Sequence, residues 1–458
     1  MKQIVSIVDP EIKIDDIGVI DVETGAGRDP SSGETKLSKL AGSRSPFIVI
    51  NRMKFSENDV SYLNLSLSGF IPMLTVMLTG KMGLLNSTSF PKSGDVVSLY
   101  IYSGKKSIRQ DYRIIKLTPS LDGGVSGTPS SVTITAKLNI LELFNDRLEH
   151  YPNMSSYDTL IEICKSIKLG FASNDTMTND TMTRICPFTS FEDFILNDVV
   201  NNSYKDDSSF FMAFVDQFYY LNFIQVNDMI VNNEEILNVN IESFIDENYN
   251  SDSTEIKSFE RLLMLTNSKI YAGTSNHIIN FSIVNNSGQI DLKNGYRNYI
   301  QYYDKINKSF TEYFLDTLNT DGSDNKIILK GRIDEDYTLH RKIEHFGIQN
   351  NDNVHDNYYY AKMQNKINLN ELNKFGIICD MIGINPHIIK GMIIPIVIIT
   401  SNSDDIKNMS VPKGEEGETR IDKFISGYYT VMDINYTFQD DGYKTNIFAI
   451  KRELDTNQ

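Results

Sequence analysis

From Pro46 onward the chain alternates apolar and polar residues with a period of two over a series of short runs: PFIVINRMKF, YLNLSLSGF, MLTVMLTG, DVVSLYIYS, DYRIIKLT and SVTITAKL. In YLNLSLSGF the alternation is strict, with Leu63, Leu65 and Leu67 on one side. Successive side chains of a strand point to opposite faces, so this pattern places one face of each run in a core. With Gly, Ser, Asn and Asp at the breaks, residues 46–138 are predicted to form an antiparallel sheet or barrel of about six strands. The stretch LDGGVSGTPSS between two runs has the composition of an exposed tip.

After residue 138 the period changes, and residues 139–206 read as helical. Behind Ser155 and Ser156, the residues Leu160, Ile161, Cys164, Ile167 and Lys168 fall on one side at helical spacing, with Gly170 as a stop. Ser190 and Asp193 form a capping-box-like pair ahead of Phe191, Phe194, Ile195 and Val199. A third helix is predicted over residues 207–218, capped by Asp207, with Phe210, Phe211, Phe214, Val215 and Phe218 as its buried stripe. It gives way to a strand, YYLNFIQVN, at residues 219–227. Helices followed by a strand predict an α+β domain over residues 139–235.

An acidic, Asn-rich connection follows at residues 236–254. Strand-like segments return at 256–265, 269–271, 278–284 and 289–292, and residues 301–376 form a Tyr- and Asn-rich peripheral region with no legible architecture. Residues 388–400 read as a strongly apolar strand pair or bent strand, and SNSDDIKNMSVPKGEEGETR as an exposed loop. ISGYYTVMDINYTFQDDGYKTNIFAIKREL contains two alternating runs joined by Asp440, Asp441 and Gly442, a hairpin signal. Residues 255–300 and 377–452 together make a second β region. Residues 1–45, with β-like runs at 4–8 and 17–22 and a Gly-, Ser-, Asp- and Arg-rich remainder, are predicted to be an N-terminal arm, flexible in isolation. No solenoid or propeller period is present, though two β regions of comparable type hint at an internal duplication.

Composition narrows the function classes. A chain of 458 residues has room for about three folded units. Its 40% hydrophobic content, with 24 Tyr and 24 Phe, suffices for their cores. Lys plus Arg is 44 and Asp plus Glu is 60, so 44 − 60 gives a formal charge of −16. With no Lys/Arg-rich block, the chain is not built to hold a phosphate backbone. Cys164, Cys186 and Cys379 are far apart and odd in number, a poor disulfide framework that indicates synthesis in a reducing compartment. The opening, MKQIVSIVDPEIKIDD, has no apolar core segment, which predicts no secretory signal. The longest apolar stretch, GMIIPIVIIT, is about half of the ~20 residues a membrane helix needs.

Candidate chemistry is sparse. Of His150, His277, His340, His345, His355 and His387, the pair His340 and His345 is five apart, not stacked on one helix face, and no His-Glu-x-x-His occurs. Surface or satisfied core histidines are the plainer reading. No Gly-x-Ser-x-Gly elbow is present, and Cys164 sits on the apolar side of its helix, so the three cysteines read as buried structural thiols. Gly25-Ala26-Gly27 lacks the frame of a nucleotide loop, and Asp321 to Asn325 lacks the alternating ligands and closing Glu of a calcium loop. Asp206 and Asp207 are weak as an acid pair in a chain with 60 acids. The Phe210 to Phe218 stripe has no interleaved cations and reads as core packing, not as a platform for bases. No catalytic, cofactor-binding or metal-ligating residues are assigned, no cofactor is expected, and a non-enzymatic structural protein is the reading that remains.

Three stretches carry a family resemblance: the β-rich opening with SGDVVSLYIYS, the segment SSFFMAFVDQFYYLNFIQVN, and the C-terminal ISGYYTVMDINYTF…YKTNIFAIKREL. In these the chain resembles the central baseplate hub proteins of contractile-tailed bacteriophages, the T-even type being the best known. The resemblance implies a mainly β, α+β fold, with two tail-tube-like antiparallel β-barrel domains and an inserted α+β domain. It implies a homotrimer whose six barrels adapt a six-fold tail tube to a three-fold spike, with the insertion outside the ring and DNA crossing the pore without specific binding. Tail spike and tail tube or tube-initiator proteins are the implied partners, with tape-measure and baseplate wedge proteins as further candidates. The implied location is the virion tail baseplate, assembled in the host bacterial cytoplasm, with no stable membrane insertion. Two other readings remain open: a hub of a bacterial contractile injection or type VI secretion machine, and a tail-associated cell-wall-degrading enzyme. A receptor-binding fibre is disfavoured by the lack of long repetitive segments.

Overall fold

The computed structural model describes residues 4–11, 20–21, 46–51, 53–55, 59–79, 91–103, 106–120, 131–207, 209–229, 263–265, 277–286, 297–304, 308–315, 341–349, 354–372, 375–385, 388–400, 420–421, 425–439 and 442–451. The predicted tip at 121–130, the acidic connection, the segments 269–271 and 289–292, the loop at 401–419, and Asp440 and Asp441 lie outside the described residues, as do the Gly25-Ala26-Gly27 and Asp321 to Asn325 stretches.

Two N-terminal strands, β1 (Val5–Val8) and β2 (Ile20–Asp21), precede the first β region. That region runs through β3 (Phe47–Ile50), β4 (Met53–Phe55), β5 (Val60–Ser66), β6 (Met73–Thr79), β7 (Val96–Ser103), β8 (Lys106–Ser120) and β9 (Ser131–Leu138). Every alternating run of residues 46–138 contains a strand. PFIVINRMKF is a hairpin, with Ile50 opposite Met53 and Asn51 at φ 50° in the left-handed conformation that tight hairpin turns use. Leu63, Leu65 and Leu67 are buried beside Leu74, Val76 and Leu78 of the neighbouring strand.

The next segment departs from its helical reading. Besides the helix α1 (Ser156–Ile167) and the short α2 (Phe191–Phe194), which continues as a π-helix over Ile195–Val200, it contains three strands. These are β10 (Asp146–Met154), β11 (Gly170–Ser173) and β12 (Met182–Ser190). In β10 and β12 the alternation is mixed, with Arg147, Glu149 and Arg184 sharing the inward side with the buried Tyr151, Met182 and Cys186, and Leu148 and Ile185 sharing the outward side with the exposed Asp146, so no purely apolar face signals a strand. α1 starts at Ser155, whose hydroxyl accepts the Asp158 N–H, as its composition predicts. Its stop is Lys168, in the left-handed conformation at φ 63°, and not Gly170, which begins β11. A Cβ at Gly170 would lie 2.5 Å from Tyr220 Cδ1, so close packing selects this glycine.

The third predicted helix does not exist. Residues 207–218 instead lead into β13 (Phe211–Val215), which forms a hairpin with β14 (Tyr220–Gln225). Phe211 and Val215 join the main core, while Phe210, Met212 and Phe214 join a second cluster with Ile224 and Ile450. A strand buried on both faces is an unbroken apolar run, in which helical spacing appears by coincidence. Asp207 is therefore no helix cap; it accepts the Tyr204 hydroxyl at 2.7 Å. β1, β11, β14 and β13 form one sheet in that order, with β11 and β14 parallel, so residues 5–8 of the arm dock as its edge strand.

The second β region contains β15 (Leu263–Leu265) and β16 (Ile278–Asn285). A separate three-stranded sheet follows, made of β17 (Arg297–Asp304), β18 (Ser309–Leu315) and β19 (Arg341–Gln349). The helix α3 (Tyr358–Leu372) leads to β20 (Phe375–Ile382), β21 (Ile393–Thr400), β22 (Arg420–Ile421), β23 (Gly427–Gln439) and β24 (Gly442–Ile450). Gln439 pairs with Gly442, so the C-terminal hairpin forms where its Asp-Gly signal stands. β23 also pairs with β5, from Asn435 opposite Ser66 to Phe438 opposite Leu63. This seam joins the two β regions in one sheet path, β16-β20-β24-β23-β5-β6-β9-β8-β7-β3-β4. The fold is mainly β, with large antiparallel sheets.

Candidate functional site

The described part of the chain converges on a junction where both β regions meet the α+β segment. From the first β region, Phe70 O accepts the Val215 N–H at 2.7 Å. Gln110 Nε2 donates to Gln217 O at 3.3 Å, and the Asp111 N–H donates to Tyr219 Oη at 3.4 Å. The β13–β14 turn that makes these contacts is built on Asp216, whose carboxylate accepts the N–H groups of Phe218 (2.8 Å) and Tyr220 (3.0 Å) and the Asn222 amide (2.9 Å). Tyr219 within it takes φ 65°. Burial raises the Asp216 carboxyl above its ordinary range, and these three hydrogen bonds oppose the shift by favouring the anion.

From the second β region, Lys390 and Gly391 enter the same place. Lys390 Nζ donates to Ser68 O at 2.7 Å, stands 4.0 Å from Asp433 Oδ1 and lies 5.3 Å from the centre of the Phe214 ring. One ammonium thus touches all three parts. Desolvation lowers its pKa, with Asp433 pulling the other way, and desolvation raises Asp433 against the attraction of Lys390. Gly391 has φ 77°, and a Cβ there would collide with Ile224 Cδ1 and sit 3.3 Å from the Phe214 ring.

A buried polar cluster holds α3 against the α+β segment. The Arg184 guanidinium donates to Met154 O (2.6 Å), Ser156 Oγ (2.8 Å) and Asp180 O (3.1 Å), and stands 3.4 Å from Asp180 Oδ2. Asp180 accepts the Ser156 N–H (2.9 Å), the Tyr204 N–H (3.1 Å) and the Ser156 hydroxyl. Desolvation lowers Arg184, opposed by Asp180 and Asp198, and burial raises Asp198. Asn365 of α3 donates to the carbonyls of Val200 (3.3 Å), Asn201 (3.0 Å) and Ser203 (2.9 Å) and accepts the Phe211 N–H at 3.0 Å. His355 Nε2 meets Asn202 O at 3.1 Å, and because a carbonyl only accepts, this nitrogen carries a proton.

The arrangement is mechanical in character. Cys164, Cys186 and Cys379 are free and buried, as their apolar surroundings predict. Burial pushes the Cys379 thiol up to about 12 and Cys164 further, which keeps both protonated and poorly nucleophilic. Asp206 and Asp207 lie in a turn closed by Ser209, whose hydroxyl accepts the Lys205 and Asp206 N–H groups. His340 and His387 lie outside the described residues, and His345 lies on β19. Among the described residues no group of three His, Cys, Asp or Glu could hold a metal ion, and no helix is long and apolar enough to cross a membrane. Periodicity does not single out Lys390, Arg184 or Asn365. A lone cation inside the apolar stretch IIKGMII is the one visible mark of the junction.

No protein-family profile matches the chain, and no curated protein matches its sequence. Among solved structures, the fold is similar to that of a tail protein from Neisseria meningitidis, at 8% identity over 90% of this chain and 97% of that one, with a TM-score of 0.47. It is similar to a 43 kDa tail protein of prophage MuSo2 from Shewanella oneidensis, at 8% identity over 90% and 97% and a TM-score of 0.48. A third is an Escherichia coli component of the type VI secretion system, described as structurally similar to T4 bacteriophage tail proteins gp27 and gp5. It matches at 8% identity over 86% of this chain and 73% of that one, with a TM-score of 0.41. At such identities the likeness is one of chain path, and no residue role is carried across. Phage tail proteins and a type VI secretion component are thus among the structures to which this chain is similar.

Proposed function

We propose that this chain is a structural component of a phage tail, the central hub of a contractile baseplate. The observation that carries the reading is the seam between β5 and β23, which makes the two β regions consecutive sections of one sheet while the α+β segment is braced against both. In this reading residues 46–138 are one tube-like barrel domain, and residues 255–300 with 377–452 are the other. Residues 139–235 are the insertion, 236–254 a connection, 301–376 a peripheral region and 1–45 an arm. Two such units per chain give six in a trimer, the count that lets a three-fold body meet both a six-fold tube and a three-fold spike. Closure through a heterologous interface would also protect the open ends of the sheet.

The lumen is then the path of DNA, and the formal charge of −16 suits a wall that repels phosphates instead of holding them. The buried thiols and the mechanical junction favour a scaffold over an enzyme. Electron microscopy of the purified chain, alone and with the spike protein of the same tail, tests the proposal. A three-fold ring with a pseudo-six-fold rim and a central pore is expected. Monomers in both samples, with clearing of host cell wall in a zymogram, would overturn it in favour of an enzyme. Tight binding of duplex DNA at physiological salt would overturn the repelling lumen alone.

A further inference from the structure

The two β regions repeat one strand topology. The sheet order is β3-β7-β8-β9-β6-β5 in the first and β15-β21-β23-β24-β20-β16 in the second, and the matching strands follow the same order along the chain. One pairing differs, since β15 runs parallel to β21 where β3 is antiparallel to β7. The irregularities coincide as well. β8 and β23 bulge at Ile115 and Met432, opposite the steps from Ala136 to Thr135 and from Ala449 to Phe448. β5 and β16 bulge at Ser61 and Ile279. Gly94 and Gly391, both at positive φ, donate to the residue before the first bulge, at 2.9 Å to Ile114 O and 2.7 Å to Val431 O. The cross-strand row Ile114, Ala136, Leu74 and Leu65 thus recurs as Val431, Ala449, Ile377 and Ile283.

In this light the seam joins unlike ends of two like units. Past its glycine turn, β23 gives the flank of residues 435–438 to β5. The matching flank of β8, at residues 117–119, has no strand beside it among the described residues, and β16, the counterpart of β5, ends the sheet path. Leu65 is 1% exposed, whereas its counterpart Ile283 is 45% exposed. β16 carries no charged residue and no Pro, the devices that keep sheet edges apart. We infer that β16 of one copy receives β8 of a second copy, with Thr118 opposite Val284 and Pro119 opposite Ile283, so that the seam is repeated between chains. The seam itself names the occupant: a strand of the β5 type takes a flank of the β8 type, and the second copy supplies that flank. Because the surfaces are unlike, the contact runs head to tail and closes as a ring. In the seam Leu67 N–H donates to Ile434 O, and alternate residues of β23 aim their backbone groups at β5, Tyr436 among them. Pro119 stands where Tyr436 does and lacks its N–H, so the contact between chains has one backbone hydrogen bond fewer.

The inference rests on the closed trimer of the tail reading, and the experiment separates the two. Full-length Thr118→Cys, Val284→Cys and the double variant are assembled into tail particles, which are purified and oxidised. Thr118 and Val284 match Asn435 and Ser66, a pair that shares no backbone bonds, and such pairs bring their Cβ atoms within disulfide range. Cys164, Cys186 and Cys379 are buried and take no part. The double variant is expected to give covalent trimers and nothing larger, and neither single variant to cross-link. Ile283→Asp changes an exposed side chain, so the free chain stays folded, which its thermal melt checks. Its incorporation into tails is expected to fall about tenfold, because a charge then stands where the seam buries Leu65. Particles that hold the double variant without a cross-link, a cross-link through Val284→Cys alone, or full incorporation of Ile283→Asp overturns the inference and leaves the tail reading standing. Absence of the unmodified chain from purified tails overturns the tail reading and this inference with it.

Discussion

At the scale of single residues, the junction separates two costs that a glycine replacement combines. Gly94 and Gly391 both have positive φ, at 90° and 77°, but a Cβ at Gly94 meets nothing within 4 Å while one at Gly391 strikes Ile224. Gly94→Ala is expected to lose about 1 kcal/mol from conformation alone. Gly391→Ala is expected to lose about 3 kcal/mol, because steric overpacking is added. Denaturant titration of both variants checks the order. Asp180 accepts three hydrogen bonds beside a fully buried Arg184, and Asp180→Asn removes the nearest counter-charge of that cation and leaves the attraction of Asp198. A loss of about 3 kcal/mol in the same titration is expected, since the desolvation of Arg184 is then only partly compensated.

At the scale of elements, the ends of α1 show how local chemistry and tertiary demand divide the work. Ser155→Ala removes the acceptor of the Asp158 N–H and is expected to cost about 1 kcal/mol. Lys168→Gly puts an unstrained residue at φ 63° and is expected to gain about 0.5 kcal/mol, net of the flexibility glycine adds to the unfolded chain. The docking of α3 carries a pH dependence. Burial lowers the His355 pKa, with Asp180 and Asp356 pulling it up and Arg184 pushing it down. The folded state therefore favours the neutral ring, and its contribution is complete above the ordinary imidazole pKa of about 6.5. It is lost as pH falls through the lower folded value. Protection at α3 and at residues 198–204, measured by hydrogen exchange relative to the intrinsic rate at each pH, is expected to fall on acidification from pH 7 to pH 5, and less so in His355→Gln.

For the whole molecule, the seam from Asn435 opposite Ser66 to Phe438 opposite Leu63 predicts that the two β regions are coupled. Leu65→Asp buries a charge at that seam and is expected to reduce amide protection in β23 and β24 as well as in β5 and β6. Full protection of β24 in this variant would show the regions to be independent. Much of this architecture is written in the sequence. Leu63, Leu65 and Leu67, the Ser155 cap and the Asp-Gly hairpin signal are local patterns, and strand alternation, capping and tight turns are decided within a few residues. What lay beyond such patterns was the environment on both sides of a segment. Phe211 to Val215 is extended because two cores press on it, and β10 and β12 are strands although Arg147, Glu149 and Arg184 share their inward side. By itself the sequence determined a mainly β chain with two β regions, a helix capped at Ser155, buried thiols and a net negative charge. Only the tertiary structure decided that β5 and β23 join, that Lys390, Arg184 and Asn365 bind the parts together, and that Leu148 and Ile185 face solvent. Those outcomes depend on contacts between residues far apart in the chain, whose free energies no local pattern records.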